Sequence, residues 1–223
     1  MRGLYAIIDT GTLAARQLDP VAFGEAVLMA RPAALQLRAK DLPPRETLAL
    51  LRALAPLCRR NGVPLVANDR PDLAIMAGCD LVHVGQTDMP IDRVRRIAPG
   101  IGVGVSTHTM EQLDAALTAR PAYVAFGPVF ETATKDNPDP VVGVAGVRAA
   151  SARAVAAGVP LVAIGGMTYA RTRELVELVD AVAIVSDLLP PVASTDVWRD
   201  VTARARAIQE LFASPPVVAG AVR

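Results

Sequence analysis

The stretch "RRNGVPLVAND", residues 59–69, contains the unit from which the fold can be worked out. Gly62 fits the left-handed position that ends a helix before the chain turns into a strand. The apolar run "PLVA" follows as a short strand, and the polar pair Asn68 and Asp69 comes directly after it. The pattern predicts a helix end, a buried strand and a polar strand end, in that order.

The same unit recurs along the 223 residues of the chain. Apolar runs alternate with helix-like stretches whose apolar residues are spaced three and four apart. The runs are "LYAII" at residue 4, "ALQL" at 34, "PLVA" at 64, "DLVHV" at 80, "IGVGV" at 101, "AYVAF" at 122, "PLVAI" at 160 and "DAVAIV" at 180. Strands alternating with helices pair in parallel through right-handed crossovers. Eight such units predict an α/β fold, a single (β/α)8 TIM barrel, rather than an open doubly wound sheet.

Helix ends and the end of the chain complete the predicted organisation. Gly78 in "IMAGCDLVHV" and Gly158 in "AAGVPLVAI" also fit the left-handed position that closes a helix. Helices are predicted over residues 46–59, 109–119, 144–156 and 168–178, with a last one around 198–212. We expect one catalytic barrel domain over residues 1–213 and a flexible tail, "SPPVVAGAVR", over residues 214–223.

Composition and charge exclude several classes of protein. The 23 basic and 22 acidic side chains leave a formal charge of +1, and aromatic residues make up 4% of the chain, so no nucleic-acid partner is expected. The N-terminal apolar run reaches Asp9 too early for a signal peptide or a membrane span. Cys58 and Cys79 are lone cysteines, which we interpret as small buried hydrophobic residues of a reducing compartment. We expect a soluble cytoplasmic protein with no membrane partner.

Polar residues follow almost every run, where the active site of such a barrel lies. They are Arg38 and Lys40 after the second run, Asn68 and Asp69 after the third, Gln86 and Asp88 after the fourth, Ser106 and His108 after the fifth, Thr132, Thr134 and Lys135 after the sixth, Gly165 and Gly166 after the seventh, and Val185 and Ser186 after the eighth. Within "ALQLRAK", residues 34–40, Gln36, Arg38 and Lys40 share one face of the strand. Three long polar side chains inside a barrel indicate a bound anion or an extensive buried network.

The carboxylates allow two interpretations. Asn68 and Asp69 could cap the helix that begins near Pro71, and Asp88 could cap the helix that begins after Pro90. Two carboxylates after adjacent strands also provide the oxygen ligands with which Mg²⁺ is held beside a phosphorylated ligand. Glycines after the seventh run and the backbone at Val185 and Ser186 could bind a phosphate through their amides.

The two histidines do not form a recognisable catalytic or zinc motif. His83 lies inside the run "LVHVG", where a satisfied structural role is the simpler interpretation, while His108 at a strand end is open to either role. Two separated histidines without clustered cysteines do not make a tetrahedral zinc site. A Ser-His-Asp hydrolase is excluded for want of a GxSxG motif, so Ser106 is a candidate hydrogen-bond donor only.

Taken together, six strings resemble the thiamine-phosphate synthase (thiamine-phosphate pyrophosphorylase) family between about Leu4 and Leu189. They are "QLRAK", "ANDRPDLA", "GCDLVHVGQTDMP", "GVSTHTMEQL", "YVAFGPVFETATKDNP" and "VAIGGM". The resemblance implies a transferase on a (β/α)8 barrel, acting in thiamine biosynthesis. It would join 4-amino-5-hydroxymethyl-2-methylpyrimidine diphosphate to a thiazole phosphate, releasing diphosphate and giving thiamine phosphate.

The resemblance also implies roles for residues that match the family's motifs. Mg²⁺ would be held by Asp69 and Asp88, and the charge on diphosphate would be stabilised by Arg38, Lys40, Ser106 and Lys135 as catalytic residues. The pyrimidine diphosphate would be bound by Gln36, Arg38, Lys40 and Asn68, the departing diphosphate by Ser106 and Lys135, and the thiazole phosphate by Thr132, Thr134, Gly166, Val185 and Ser186. The positive charges of Arg38 and Lys40 are then expected to be balanced only when a ligand arrives. A side chain introduced at Gly166 is expected to occupy the place of the phosphate.

Alternatives and departures from the family complete the expectations. A thiazole tautomerase-like protein, which uses a histidine near the position of His108, and a non-catalytic sensor of phosphate ligands share the barrel. Asp187 stands where the family usually has a small residue, and "KDNPDPVVG", residues 135–143, is a variant loop. We expect Asp187 to point away from a bound phosphate because like charges repel. Small-molecule substrates are the expected partners, and a homo-oligomer is compatible with the sequence.

Overall fold

A computed structural model describes residues 1–132 and 139–213 of the chain. The predicted sites Thr134 and Lys135 and the predicted tail at 214–223 lie outside the described residues. The elements are β1 (Gly3–Asp9), α1 (Thr10–Ala14), α2 (Pro20–Leu28), β2 (Ala34–Arg38), α3 (Pro44–Asn61), β3 (Leu65–Asn68), α4 (Pro71–Ala77), β4 (Leu81–Val84), α5 (Ile91–Ile97), β5 (Gly102–Thr107), α6 (Met110–Thr118), β6 (Tyr123–Phe126), α7 (Gly143–Ala157), β7 (Leu161–Ala163), α8 (Tyr169–Leu175), β8 (Ala181–Ile184), a 3-10 turn (Ser186–Leu188) and α9 (Val197–Leu211).

The strands form a closed parallel barrel in sequence order, in which β1 pairs with both β2 and β8. Each predicted run supplies one strand, so the single (β/α)8 TIM barrel predicted from the sequence is confirmed. The register places Asp9 beside Arg38 and Asn68 beside His83 at the carboxyl ends of neighbouring strands. Parallel pairing therefore gathers the polar residues that follow the runs at one end of the barrel.

Three helices end at the glycines predicted to close them, and one helix ends earlier than predicted. Gly62, Gly78 and Gly158 close α3, α4 and α7 with φ of +65°, +68° and +66°. The helix predicted over residues 168–178 ends at Leu175. Asp180 binds Leu161 through its backbone N–H and through its carboxylate, at 2.9 and 2.8 Å, and this fixes the start of β8. The chain must leave the helix early to reach that position.

Two apolar cores lie on opposite sides of the barrel wall. The larger core fills the layer between strands and helices and contains both thiols, Cys58 and Cys79, which are buried and free, as predicted. The smaller core fills the barrel and includes Tyr5 and Tyr123. Gly104 on β5 leaves the space that the Tyr123 ring occupies, because a Cβ at this position would overlap the ring.

The described helices were also compared with the length and hydropathy that a membrane span requires. Among residues 1–132 and 139–213, no helix is both long enough and apolar enough to cross a bilayer.

Candidate active site

A cavity of about 830 Å³ opens at the carboxyl ends of the strands. It brings together nearly all of the residues predicted for the site. Those that line it are Gln36, Arg38, Lys40, Asn68, Asp69, Asp88, Ser106, Thr132, Gly166, Val185 and Ser186. The strands supply these side chains because each ends in the cavity, while the helices that follow turn the chain away from it.

Asp69 lies at the centre of the charged part of the cavity. Its backbone is left-handed, with φ of +61°, and its N–H donates to the carbonyl of His83 at 2.8 Å. The Lys40 Nζ lies 3.3 Å from an Asp69 carboxylate oxygen. Burial raises the pKa of Asp69, Lys40 lowers it, and the neighbouring carboxylate of Asp88 raises it again, so that the net pKa lies above its usual value. Two carboxylates so close together favour a bound cation or proton.

The capping interpretation of the carboxylates is not supported. Arg70 is the residue before α4 and Pro90 the residue before α5, and neither helix start has a side-chain cap. Asp88 instead accepts a hydrogen bond from the N–H of Gly85 at 2.7 Å, within the loop that follows β4. Asp69 and Asp88 therefore cap neither helix. Their carboxylates lie next to each other in the loops after β3 and β4.

Arg38 is already paired with a carboxylate that the sequence interpretation missed. Its guanidinium forms an ion pair with Asp9, the residue beside it on β1. Burial raises the pKa of Asp9, but hydrogen bonds from Thr12 and Arg38 outweigh it and hold that pKa below its usual value. Since Lys40 is also paired, with Asp69, the expectation that these positive charges stay unbalanced until a ligand arrives is wrong.

A hydrogen-bonded network of buried side chains lies beneath the charged groups. Gln36 Nε2 donates to Asn68 Oδ1 at 2.6 Å, and the Tyr5 hydroxyl donates to Gln36 Oε1 at 2.7 Å. The hydroxyls of Tyr5 and Tyr123 lie 2.7 Å apart. The alternation in "ALQLRAK" therefore marks both a charged surface and a buried network, since Gln36 belongs to the second.

His83 continues this network toward the fifth strand. Its Nδ1 lies 2.8 Å from the Tyr123 hydroxyl and its Nε2 lies 2.8 Å from Ser106 Oγ. Burial lowers its pKa to about 4, with a smaller opposing effect of Asp88. The imidazole is a satisfied buried group, which agrees with the structural interpretation of His83, but it also lines the cavity.

His108 also lines the cavity, directly after the end of β5. Its Nδ1 lies 2.5 Å from the Gly127 carbonyl, to which it donates, and its Nε2 lies 3.5 Å from a carboxylate oxygen of Asp139. An imidazole held between a carbonyl and a carboxylate is oriented by both, so His108 presents a fixed edge to the cavity.

The region after β7 and β8 differs from expectation at two positions. A Cβ at Gly166 would meet the Glu131 carbonyl, with Phe130 Cβ at 2.9 Å, so a side chain there would strike protein rather than occupy ligand space. Asp187 was expected to point away, and this is wrong: it lines the cavity and accepts from the N–H of Tyr169 at 2.7 Å. The first free amide of α8 explains this orientation, because a carboxylate is stabilised at a helix start.

Arg171 also lines this region and was not predicted. Its guanidinium stacks on the Phe130 ring, 4.6 Å from the centroid, and donates to the Gly166 carbonyl. The signal available in the sequence was an arginine in the first turn of the helix that follows "AIGGM", a position where the side chain can reach back to the glycine loop.

A closed (β/α)8 barrel with a polar cavity at the carboxyl ends of its strands has the architecture of a TIM-barrel enzyme. Comparison with known proteins narrows this class. The family model described as thiamine monophosphate synthase matches residues 4–188. The chain is 39% identical to a thiamine-phosphate synthase of Roseiflexus castenholzii, over 91% of this chain and 90% of that one. It is 40% identical to a thiamine-phosphate synthase of Koribacter versatilis, over 83% and 88%.

A solved structure gives the same result. The thiamine phosphate pyrophosphorylase from Pyrococcus furiosus superposes with a TM-score of 0.80 at 27% identity, covering 95% of each chain. The chain belongs to the thiamine monophosphate synthase family. The sequence-based predictions of this family, of a thiamine-phosphate synthase and of a transferase are thereby confirmed.

Proposed function

We propose that the cavity joins 4-amino-5-hydroxymethyl-2-methylpyrimidine diphosphate to a thiazole phosphate, giving thiamine phosphate and diphosphate. The observation that carries this proposal is the meeting of Lys40, Asp69, Asp88 and Ser106 in one cavity of a chain of this family. The cavity volume of about 830 Å³ is sufficient for two small substrates side by side.

The reaction needs no protein nucleophile. The bond between the pyrimidine methylene carbon and the diphosphate oxygen breaks, and the oxygen keeps the electron pair. The lone pair of the thiazole nitrogen forms the new carbon–nitrogen bond. If breaking runs ahead of forming, negative charge grows on diphosphate and positive charge on the pyrimidine, so the protein's contribution is electrostatic.

The residues at the β2–β5 side, together with Lys135, which lies outside the described residues, would carry that electrostatic contribution. Gln36 and Asn68 would bind the pyrimidine, and Arg38 and Lys40 the diphosphate. Ser106 and Lys135 would receive the departing diphosphate. Because Arg38 is held by Asp9 and Lys40 by Asp69, their positive charges are oriented before substrate arrives. Preorganised charges of this kind stabilise a transition state by several kcal/mol in total.

Asp69 and Asp88 fit a magnesium ion, which we propose as the cofactor. The raised pKa of Asp69, caused by burial and then by Asp88, indicates a pair of carboxylates whose repulsion a cation would relieve. Within the described residues no cluster of three or more His, Cys, Asp or Glu side chains is present, so water and substrate oxygens would complete the shell. When bound, Mg²⁺ would neutralise charge on the diphosphate.

The thiazole phosphate would bind at the loops after β6, β7 and β8. Thr132, Thr134, Gly166, Val185 and Ser186 are the proposed contacts. Arg171 would add a positive charge to this side, and Asp187 would oppose it. At this end, as at the Lys40 end, a carboxylate therefore offsets the positive charge offered to an anion.

A thiazole tautomerase is the second candidate function. It is favoured by one observation, the fixed imidazole of His108 between the Gly127 carbonyl and Asp139. The complete set of Lys40, Asp69 and Asp88 argues for the synthase, since proton transfer alone would not need a diphosphate site. A non-catalytic sensor would be expected to lack some of these groups.

The test is incubation of the purified protein with both phosphorylated substrates and Mg²⁺, followed by detection of thiamine phosphate. We expect product only when both substrates are present, and a sharp loss in Asp69→Asn. His108→Asn provides the comparison, since it should retain synthase turnover. Absence of product with wild-type protein, beside isomerisation of the thiazole phosphate that His108→Asn abolishes, would establish the tautomerase instead.

We further propose that the protein works in the cytoplasm. Burial raises the pKa of Cys58 and of Cys79 to about 12, and neither forms a disulfide. Free, unreactive thiols are compatible with a reducing compartment. Fractionation of cells that produce the protein would test this location.

A further inference from the structure

The buried side chains beneath the charged groups form one unbroken chain of hydrogen bonds across the barrel. It runs from Asn68 through Gln36, Tyr5, Tyr123 and His83 to Ser106, with links of 2.6 to 2.8 Å. The four inner members are 8% exposed or less, and both ends line the cavity. Over the described ranges, every buried side-chain nitrogen and oxygen has a partner. We name these six residues the interior chain.

The number of hydrogen atoms forces the interior chain to run in one direction at a time. Each tyrosine has a single hydroxyl hydrogen, and a neutral imidazole has a single N–H. With Gln36 Nε2 on Asn68 Oδ1, Tyr5 must donate to Gln36 and Tyr123 to Tyr5. His83 then donates from Nδ1 to Tyr123, and its Nε2 accepts the hydrogen of Ser106. The low pKa of His83, about 4, keeps the imidazole neutral near pH 7.

The two ends therefore have linked hydrogen-bonding character. In the direction just described, the hydrogen of Ser106 is taken by His83, so its oxygen offers only lone pairs to the cavity. At the other end, the carbonyl of Asn68 is taken by Gln36, which leaves its N–H groups for a ligand. An anion at Ser106 needs a donor, so this direction does not suit it.

The opposite direction satisfies the same links. His83 carries its hydrogen on Nε2 and donates to Ser106, both tyrosines reverse, and the amides of Gln36 and Asn68 turn over. Ser106 then has its hydrogen for an anion, and Asn68 presents its carbonyl oxygen to the cavity. A mixture of the two directions loses at least one buried hydrogen bond, which is costly where water cannot replace it.

We propose that His83 and Tyr123 are positioning residues, which couple Ser106 to Asn68 so that an anion bound at Ser106 selects a hydrogen-bond donor at Asn68. The ligand class is an anion that also carries an amino group. Its identity as the aminopyrimidine diphosphate rests on the proposed function. Neither His83 nor Tyr123 needs to touch the ligand for this selection to operate.

The tautomer of His83 is the direct readout. The chain contains only two histidines, so protein labelled with ¹⁵N-histidine gives two imidazole patterns, and the variant His108→Gln identifies the one that belongs to His83. We expect the Nδ1–H form without ligand and the Nε2–H form after addition of inorganic diphosphate with Mg²⁺. The same tautomer in both samples, or a doubly protonated imidazole with ligand, would overturn the proposal.

Selectivity is the second readout, and it uses Tyr123→Phe. This variant keeps the ring that fills the space over Gly104 and removes only the hydroxyl that joins the two halves. We expect the preference for the 4-amino pyrimidine diphosphate over its 4-oxo counterpart, measured as kcat/KM, to fall by about tenfold, the value of one hydrogen bond. Tyr169→Phe, at an exposed tyrosine, is the matched control and should retain the preference. Tyr5→Phe cuts the adjacent link and replaces Tyr123→Phe if that variant does not fold.

The two readouts separate this proposal from the proposed function. Production of thiamine phosphate by a protein whose His83 tautomer does not respond would refute the coupling and leave the synthase intact. A tautomer that responds to diphosphate in a protein that makes no thiamine phosphate would refute the synthase and support the coupling. Unchanged selectivity in both Tyr123→Phe and Tyr5→Phe would refute the coupling whatever the turnover.

Discussion

The two sides of the cavity are built by different means. At the β2–β5 side, long side chains form ion pairs and hydrogen bonds with one another, as Lys40 does with Asp69. At the β7–β8 side, the cavity is shaped by left-handed glycines, Gly165 and Gly166, with φ of +97° and +64°, and by a carboxylate at a helix start, Asp187. The first side is organised by charge and the second by backbone conformation. Substitutions should therefore damage turnover on the first side and folding on the second.

The largest effect is expected for Gly166→Val. The new side chain would meet the Glu131 carbonyl and Phe130 in a left-handed backbone, so we expect the free energy of unfolding to fall by about 4 kcal/mol, measured in urea. Gly62→Val is the control, since it has a similar φ of +65° in open space and should lose about half as much. If Gly166→Val were as stable as this control and lost only affinity for the thiazole phosphate, a side chain at Gly166 would occupy ligand space as first predicted.

The next effect concerns Lys40→Ala at the charged side. We expect turnover at saturating substrates and Mg²⁺ to fall by about 100-fold, because a charge that stabilises diphosphate is removed. The free energy of unfolding should change by less than about 0.5 kcal/mol, since the Lys40 side chain is 51% exposed. Arg93→Ala, which removes an exposed ion pair with Asp92 outside the cavity, should change neither quantity. If the free energy of unfolding fell by as many kcal/mol as the loss of turnover corresponds to, Lys40 would act through folding.

Acid should destabilise the β2–β5 side through His83. Its folded pKa, about 4, lies below the usual value of 6.5, so the unfolded chain binds more protons between these values. Stability from this group is complete above pH 6.5 and is lost as the pH falls toward 4, by about 3 kcal/mol in all, of which about 2 kcal/mol is lost between pH 7 and pH 5. Denaturant titrations at pH 7 and pH 5 would measure the loss. His83→Gln should reduce the difference between the two pH values, and an equal difference in both proteins would contradict the assignment.

The smallest effect is expected for Asp187→Asn at the β7–β8 side. The amide oxygen can still accept from Tyr169, while the negative charge beside the proposed phosphate position is removed. We expect the thiazole phosphate to bind about fivefold tighter, on the order of 1 kcal/mol, as measured by titration. Weaker binding would mean that the Asp187 carboxylate interacts favourably with the thiazole ring, or with water bound around the ligand, and does not repel the phosphate.

The barrel can be predicted from the sequence because the patterns that indicate its strands and helices are local. Eight apolar runs, the closing glycines and the polar residues at strand ends need no knowledge of distant contacts. The contacts between residues on neighbouring strands cannot be predicted in this way. That Asp9 lies beside Arg38 follows from the register of β1 against β2, which one sequence does not reveal. The same limit concealed the interior chain, whose six members come from six strands, β1 to β6.

The orientation of side chains at the ends of loops is the second feature that the sequence does not predict. Asp187 was expected to avoid the cavity on the ground of charge alone, but the free amide of Tyr169 holds it there. Such a hydrogen bond depends on where α8 begins in space, and a boundary of one or two residues decides it. Arg171 was missed for the same reason, since its reach back to Gly166 is set by the first turn of that helix.

The fit between Gly104 and Tyr123 has a consequence for how this protein can change over generations. A side chain at position 104 collides with the tyrosine, so it would be tolerated only after a smaller residue had replaced the tyrosine. That earlier replacement removes the hydroxyl between Tyr5 and His83. Mutational routes through position 104 therefore pass through an intermediate with a divided polar interior, and a redesign of the barrel would have to alter both positions in one step.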